Sequence, residues 1–296
     1  MRKAIGALVL ALVLVLATGM LCGAGAEVFL NKAKPADWEE RDLLKITVMD
    51  FYQNDAIILQ CGGESMIIDG GARKHWKTMA EYLESIGLTH VNILFNTHPH
   101  DDHLGAQIQL VKSGRLTADR FISPFAREYA RTTKGSEKVK YHQQMIKVLD
   151  EKGIPFYQIM PDEELTLGGA RMIMYRYPDG KDANQLSAVL WLHFGDATIL
   201  LPGDITGAGE RWLANHYGPE GLKSDILKSP HHGIVIMVSE FIEAVDPALT
   251  VVTNGKQAKQ KAQLDARKYA NIWTSMGRVF METDGKDWYV TQEKKK

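Results

Sequence analysis

Apolar residues along this chain recur with two different periods. Three short β-rich runs cover residues 45–49, 56–60 and 65–68, with turn-forming residues between them. A longer segment then has apolar residues at helical spacing, from Trp76 to Ile86, and ends at Gly87. This part of the pattern predicts strands first and then a helix that packs on their sheet.

The second half of the chain repeats this order. Residues 189–194 and 197–201 are predicted strands that a Gly195-Asp196 hairpin turn joins. Residues 249–253 predict another strand, and residues 257–276 predict a single helix. Two halves built of strands with helices between them predict an α/β fold.

The domain that we predict covers residues 43–291. Residues 27–42 are charged and contain Pro35, which predicts an irregular lead-in, and residues 292–296 form a charged tail. Cys61 is the only cysteine after residue 26, so an internal disulfide is excluded if the leader described next is removed. Stability must then come from the core of one domain.

The first residues have the character of a leader. Arg2 and Lys3 precede an almost unbroken apolar run, and Ala24-Gly25-Ala26 offers the small residues that a signal peptidase cuts. We therefore predict a signal peptide over residues 1–26 and a secreted or cell-surface protein. A lipid-modified Cys22 and an uncleaved membrane anchor are the alternatives.

The net charge limits the class of partner. Without Arg2 and Lys3, 33 basic residues face 36 acidic residues, which gives a mature charge of about −3. Such a balance argues against a surface built for strong nonspecific binding of nucleic acid.

Candidate chemistry is concentrated in one stretch, Thr97-His98-Pro99-His100-Asp101-Asp102-His103, which follows a predicted strand. Imidazole and carboxylate groups are the usual ligands of zinc and similar cations. In extended backbone, His98 and His100 point to the same side, and Asp102 and His103 follow where the chain tightens into a helix. A polar turn with capping aspartates would not need so many ligand-type side chains, so the stretch predicts a metal site.

This stretch resembles the His-x-His-x-Asp-His signature of the metallo-β-lactamase superfamily. Within the superfamily, the chain resembles the hydrolase domain of ComEC-type DNA-uptake proteins and their secreted relatives, over about residues 43–291. The resemblance implies a four-layer αββα sandwich with the site at one edge between the two sheets.

The resemblance also implies the rest of the site. Asp204, after Pro202-Gly203, takes the place of a carboxylate that bridges two cations. His231 and His232 resemble the last ligand motif, and we assign His231 to metal and His232 to chemistry, although the reverse assignment stays open. Asp69 is expected to hold the metal loop from beneath by hydrogen bonds, with a plain turn aspartate as the alternative.

Two further positions distinguish the ComEC-like branch. Many members of the superfamily have a third histidine ligand in the region where this chain has Asn184 and Ser187. Amide and hydroxyl groups are poor zinc ligands but good partners for phosphate oxygens, whereas the ordinary alternative is a turn before a strand. The family's Gly-Gln-Gly-Asp type of entry turn is replaced here by Tyr52-Gln53-Asn54-Asp55.

The function that we predict is an exported hydrolase, a phosphodiesterase or nuclease that uses a metal-bound hydroxide. Two divalent cations are expected, zinc first and manganese as the alternative, with six ligands: His98, His100, Asp102, His103, Asp204 and His231. The residues expected to act on the substrate are Asp102, His232, Asn184 and Ser187. The competing functions are a lactonase or β-lactamase on the same metals and an inactive metal-binding surface protein. We expect no stable protein partner, and membrane contact only if the leader is uncleaved.

The export prediction has a direct test. N-terminal sequencing of secreted protein should begin at Glu27, because cleavage is expected after Ala26. A chain that starts at a lipid-modified Cys22, or an intact membrane-bound chain, would show a different processing route.

Overall fold

Two β-sheets pack face to face in a computed structural model that describes residues 25–129, 137–255 and 258–294. The signal-peptide prediction for residues 1–24 and the last two residues of the predicted tail lie outside the described residues. The nine-stranded sheet has the order β1-β16-β15-β2-β3-β4-β5-β6-β7, and the seven-stranded sheet has the order β14-β13-β12-β11-β10-β9-β8, with strands numbered along the chain.

The strands are short, with three to seven residues each. The first sheet contains β1 (Val28–Leu30), β2 (Leu44–Val48), β3 (Ile57–Cys61), β4 (Glu64–Ile68), β5 (His90–Phe95), β6 (Thr117–Ser123), β7 (Phe156–Gln158), β15 (Val279–Thr283) and β16 (Trp288–Gln292). The second contains β8 (Glu164–Leu167), β9 (Ala170–Tyr175), β10 (Val189–Phe194), β11 (Ala197–Leu201), β12 (Ile226–Lys228), β13 (Leu249–Val252) and β14 (Ala270–Trp273). The helices are α1 (Trp76–Ser85), α2 (Asp101–Ser113), α3 (Glu137–Lys152), α4 (Ala208–Leu222), α5 (Ser239–Val245) and α6 (Ala258–Ala266).

The layering follows from strands that are buried on both faces. In β4, Met66 and Ile68 enter the core between the sheets, whereas Ile67 packs with α1 and α2 on the outer face. In β11, Leu200 likewise turns away from the inter-sheet core toward a cluster with α4 and α5. Neighbouring side chains of a strand point to opposite faces, so each sheet fills two cores and the predicted αββα order is confirmed.

One edge of the sandwich collects the loops that matter for function. Strands β4 and β5 are parallel neighbours, as are β11, β12 and β13 in the other sheet. Parallel neighbours end at the same edge of a sheet. The loops that follow β5, β11 and β12 carry residues 96–100, 202–204 and 229–233, so the two sheets bring the candidate site residues together there.

Two local predictions are wrong. The segment 27–42 is not entirely irregular, because β1 adds to the edge of the first sheet by pairing with β16 and Trp38–Glu40 form a 3-10 turn. The predicted helix over residues 257–276 is broken: α6 ends at Ala266, and β14 then pairs in parallel with β13. Pairing with the sheet edge and burial of Trp273 outweigh the helical spacing of the sequence. Residue 257 itself lies outside the described residues.

Within residues 25–129, 137–255 and 258–294, no helix combines the length and the apolar character that a membrane crossing requires.

Candidate metal centre

A buried carboxylate, that of Asp204, lies at the middle of the candidate site. Its Oδ2 atom is 3.2 Å from Nε2 of His103, 3.5 Å from Nε2 of His232 and 3.7 Å from Nε2 of His98. The carboxylate of Asp102 also approaches Nε2 of His232, at 3.4 Å. His98, His103, His232 and Asp204 are almost completely inaccessible to solvent.

Each of the three buried imidazoles is oriented through its other nitrogen. Nδ1 of His103 lies 2.7 Å from Oδ2 of Asp69, and the same oxygen accepts the hydroxyl hydrogen of Thr97 at 2.7 Å. That Thr97 oxygen lies 3.1 Å from Nδ1 of His98. If Nδ1 carries the proton in both rings, Nε2 keeps its lone pair and turns it toward Asp204, which is the arrangement that a metal ligand needs.

The predicted role of Asp69 as a support for the metal loop agrees with these contacts. Its Oδ1 accepts hydrogen bonds from the backbone N–H of Thr97 and from the side chain of Asn96, both at 2.9 Å. Asp69 itself has a positive φ of 55°, a conformation that aspartate tolerates better than most residues.

The donor atoms fall into two groups that could each hold a cation. Asp55, His103, Asp204 and His232 form one group, and His98, His100 and Asp204 form the other, with all atoms of a group within 4.8 Å of one another. Among the described residues, Nε2 of His98 and Oδ1 of Asp204 are buried and have no hydrogen-bond partner. Buried polar atoms are normally paired, and divalent cations at this centre would pair these two atoms. The nitrogen and oxygen atoms of both groups are donors that such cations accept.

The electrostatics of the centre favour cations as well. Burial alone would raise the pKa of Asp204, but His103 and His232 hold it well below its ordinary value. Burial lowers the pKa of His232, yet the carboxylates of Asp204 and Asp55 outweigh that effect and raise it to about 10. The carboxylates thus attract positive charge. Without a metal, protons on the histidines supply that charge, and a bound cation would replace those protons.

Comparison with known proteins agrees with this geometry. The family model described as Metallo-beta-lactamase superfamily matches residues 49–121, which include the metal loop. ComE operon protein 3 of Bacillus subtilis (strain 168) is 25% identical over 183 residues, which are 61% of this chain and 22% of that protein. Over residues 49–121 the chain is thus similar to the metallo-β-lactamase superfamily. The predicted resemblance to its ComEC-type members is confirmed, although the chain spans only 22% of the length of that relative.

Solved structures support the fold. The metallo-β-lactamase fold protein YhfI of Bacillus subtilis has a TM-score of 0.51 and 13% identity, and the match covers 79% of this chain and 96% of YhfI. A mutant of the CmlA β-hydroxylase has a TM-score of 0.53 and 12% identity, with 85% of this chain and 55% of that chain covered. At such low identity, these likenesses concern the fold alone.

The two histidines of the last motif are placed in the reverse of our assignment. His232, not His231, lies in a donor group with His103 and Asp204, and its Nδ1 is 3.1 Å from Oδ1 of Asp55. Nε2 of His231 is 3.8 Å from Asp204 and 3.4 Å from Nδ2 of Asn184, and the side chain is 25% exposed. Both residues have positive φ, 48° and 53°, so the tight turn sends their side chains in different directions.

Asn184 and Ser187 do not act as the pair that we expected. Ser187 is completely buried, and its hydroxyl accepts the backbone N–H of Asp204 at 3.3 Å. It can therefore position the bridging loop but cannot reach a substrate, which corrects its predicted role. Asn184 is partly exposed and lies beside His231, where it remains a candidate for substrate contact.

The sequence reasoning missed Asp55 and Lys228. The Lys228 ammonium is almost fully buried, donates to Oδ2 of Asp55, and also donates to the carbonyl of Gly203 at 3.2 Å. Asp55 in turn contacts His232. The Lys228 ammonium therefore links the loop before Asp204 to the Asp55 carboxylate, which orients the candidate ligand His232. The signal was available: Lys228 ends an otherwise apolar buried strand, and Asp55 closes the unusual entry turn.

We expect the Asp55–Lys228 pair to act as a unit. Lys228→Met alone should lower the free energy of unfolding by about 3–5 kcal/mol, because it leaves a buried carboxylate without its cation. Asp55→Asn/Lys228→Met should lose clearly less than the sum of the two single changes, since neither charge remains buried alone. Urea denaturation of the four proteins measures the coupling, and strict additivity would contradict it.

Proposed function

We propose that this protein is an exported, metal-dependent phosphodiesterase of the metallo-β-lactamase superfamily. In this proposal, two divalent cations, zinc or manganese, are held by His98, His100, Asp102, His103, Asp204 and, in place of His231, His232. When bound, such cations would hold substrate oxygens and lower the pKa of a coordinated water.

The observation that carries the proposal is the pair of side chains beside Asp204. Nδ2 of Asn184 lies 3.4 Å from Nε2 of His231, and the donor group of His98, His100 and Asp204, as found among the described residues, contains no third histidine. An amide and a partly exposed imidazole both offer N–H donors. A phosphate group has several oxygens to satisfy, whereas a lactam or lactone presents a single carbonyl oxygen, so the pair suits a phosphodiester.

In this proposal, different side chains hold the cations, orient the phosphate and donate a proton. His98, His103 and His232 are fixed by Thr97, Asp69 and Asp55, so they present their donor atoms without reorganisation. Asn184 would orient the phosphate. His231 would donate the proton on its ring nitrogen to the departing oxygen, since it is the partly exposed histidine of the motif.

A second candidate is a lactonase or β-lactamase that acts on an apolar substrate. Three consecutive aliphatic residues follow the histidine motif, and Ile234, Val235 and Ile236 are 47%, 46% and 50% exposed. An exposed apolar run beside a metal centre could cover the apolar part of a ring substrate. This observation is the one that favours the alternative.

One assay separates the candidates. Purified protein with its divalent metal should hydrolyse bis(p-nitrophenyl) phosphate faster than a chromogenic cephalosporin or an acyl homoserine lactone, because the site offers several phosphate contacts. Faster opening of the lactam or lactone would favour the second candidate. Failure of the metal-loaded protein on all three would favour a metal-binding surface protein without catalysis.

A pair of variants tests the roles of the adjacent histidines. His232→Ala should lower the metal content measured by elemental analysis, because the side chain lies in a donor group. His231→Ala should keep the metal but slow phosphodiester turnover by about 10²–10⁴-fold, the usual effect of losing a general acid. His90→Ala, an exposed histidine at the start of β5, is the control and should change neither quantity. The opposite pattern would restore our original assignment.

A further inference from the structure

Arg176 is a half-buried arginine that directly follows β9. No carboxylate of the described residues lies at ion-pair distance from its guanidinium, and burial lowers the pKa of the side chain. A cation that gives up water without gaining an anion must be held by hydrogen bonds. The hydrogen bonds of Arg176 therefore identify the groups that compensate its charge.

The guanidinium binds two backbone carbonyls from separate parts of the chain. Nη1 donates to the carbonyl of Pro124 at 2.7 Å, and Nε donates to the carbonyl of Leu186 at 3.1 Å. The Cζ atom also lies 4.8 Å from the centroid of the Phe125 ring, whose face attracts a cation. These three contacts with two loops fix the guanidinium in place.

The contacts of Arg176 connect the two sheets at the edge that carries the candidate metal centre. Pro124 follows β6 of the nine-stranded sheet, whereas Arg176 follows β9 of the seven-stranded sheet. Strand β6 is a parallel neighbour of β5, so Pro124 lies at the edge where the metal loop begins. Arg176 thus joins the loop after β6 to the loop between β9 and β10.

One peptide group connects Arg176 to Asn184. The carbonyl of Leu186 accepts from Nε of Arg176, and the N–H of the same peptide group, that of Ser187, donates to the carbonyl of Asn184 at 3.0 Å. A peptide group is planar, so a guanidinium that fixes its carbonyl also fixes the direction of its N–H. The backbone of Asn184 is therefore oriented by Arg176 through this peptide.

The side chain of Asn184 lies at the candidate site. Its Nδ2 is 3.4 Å from Nε2 of His231, and its Oδ1 is buried and has no hydrogen-bond partner among the described residues. The same loop touches the metal loop, because the N–H of Ala188 donates to the carbonyl of Thr97 at 3.0 Å. A shift of this loop would therefore move an amide group that faces the site.

We infer that Arg176 is a positioning residue for Asn184: it holds the loop between β9 and β10 so that the Asn184 amide stays beside His231. This inference rests on the proposed phosphodiesterase activity, in which Asn184 orients the phosphate. It adds a residue that acts on the site without contact with the substrate. Lysine is an incomplete replacement, because a single ammonium lacks the fork with which the guanidinium reaches two carbonyls.

Nuclear magnetic resonance of isotope-labelled, zinc-loaded protein tests the position of Asn184 without any need for activity. The side-chain amide signals of Asn184 are assigned by their absence in Asn184→Ala. Arg176→Met should shift these signals, because the loop loses its hydrogen bond to the guanidinium. Arg176→Lys should shift them less, since it keeps a cation on a flexible stem.

The matched control is Arg171→Met, which removes an exposed arginine near the start of the same strand and should leave the Asn184 signals in place. Asn184 signals that stay in place in Arg176→Met would overturn the inference. If the methionine variant does not fold, the same result in Arg176→Lys would overturn it.

A double-mutant cycle tests whether Arg176 acts through Asn184. Arg176→Met and Asn184→Ala should each lower kcat/KM for bis(p-nitrophenyl) phosphate by about 10–10²-fold, the scale expected when a group that orients a substrate is displaced. The double variant should lose little more than Asn184→Ala alone, because the two changes affect one contact. Metal content should stay unchanged in all three variants, and losses that multiply would contradict the positioning role.

The two experiments separate this inference from the proposed function. Shifted Asn184 signals in a protein that hydrolyses no phosphodiester would support the positioning by Arg176 and reject the activity. Phosphodiester hydrolysis by Arg176→Met at the unaltered rate, with unmoved Asn184 signals, would keep the activity and reject the positioning role.

Discussion

The buried carboxylate of Asp204 is the constraint around which the molecule is arranged. An anion in the interior is costly unless partners of opposite charge or hydrogen bonds surround it. Here the partners are the imidazole of His103, in the first turn of α2 after β5 of one sheet, and that of His232, in the turn after β12 of the other. The two sheets must therefore pack in one alignment for this charge to be compensated, which couples the fold to the site.

Part of this arrangement was predictable because it is local. The five ligand-type residues from His98 to His103 follow a strand directly, and the periods of two and 3.6 residues predicted an α/β fold, whereas the four-layer order was implied by the family resemblance. The predictions that were wrong concern features that depend on tertiary contacts. The strand β14 exists because β13 offers an edge, and the left-handed turn at His231 decides which of two adjacent imidazoles reaches the centre.

The missed residues have the same explanation. Lys228 and Asp55 are 173 positions apart in the chain, and their pairing is invisible until the sheets are assembled. Ser187 was predicted to contact substrate because a hydroxyl group suits phosphate oxygens. In the structure the side chain is buried, and its hydroxyl accepts the backbone N–H of Asp204 instead.

The attachment of the first described residues has a consequence for orientation. The carbonyl of Glu27 accepts the N–H of Trp288, and a side chain at Gly25 would collide with Asp225, the residue that precedes β12. The candidate metal centre lies beyond the other end of β12, so residue 25 lies at the pole of the domain opposite that centre. A chain tethered to a bilayer through its leader would hold the domain close, with the candidate metal centre facing away from the lipid and open to the surrounding solution.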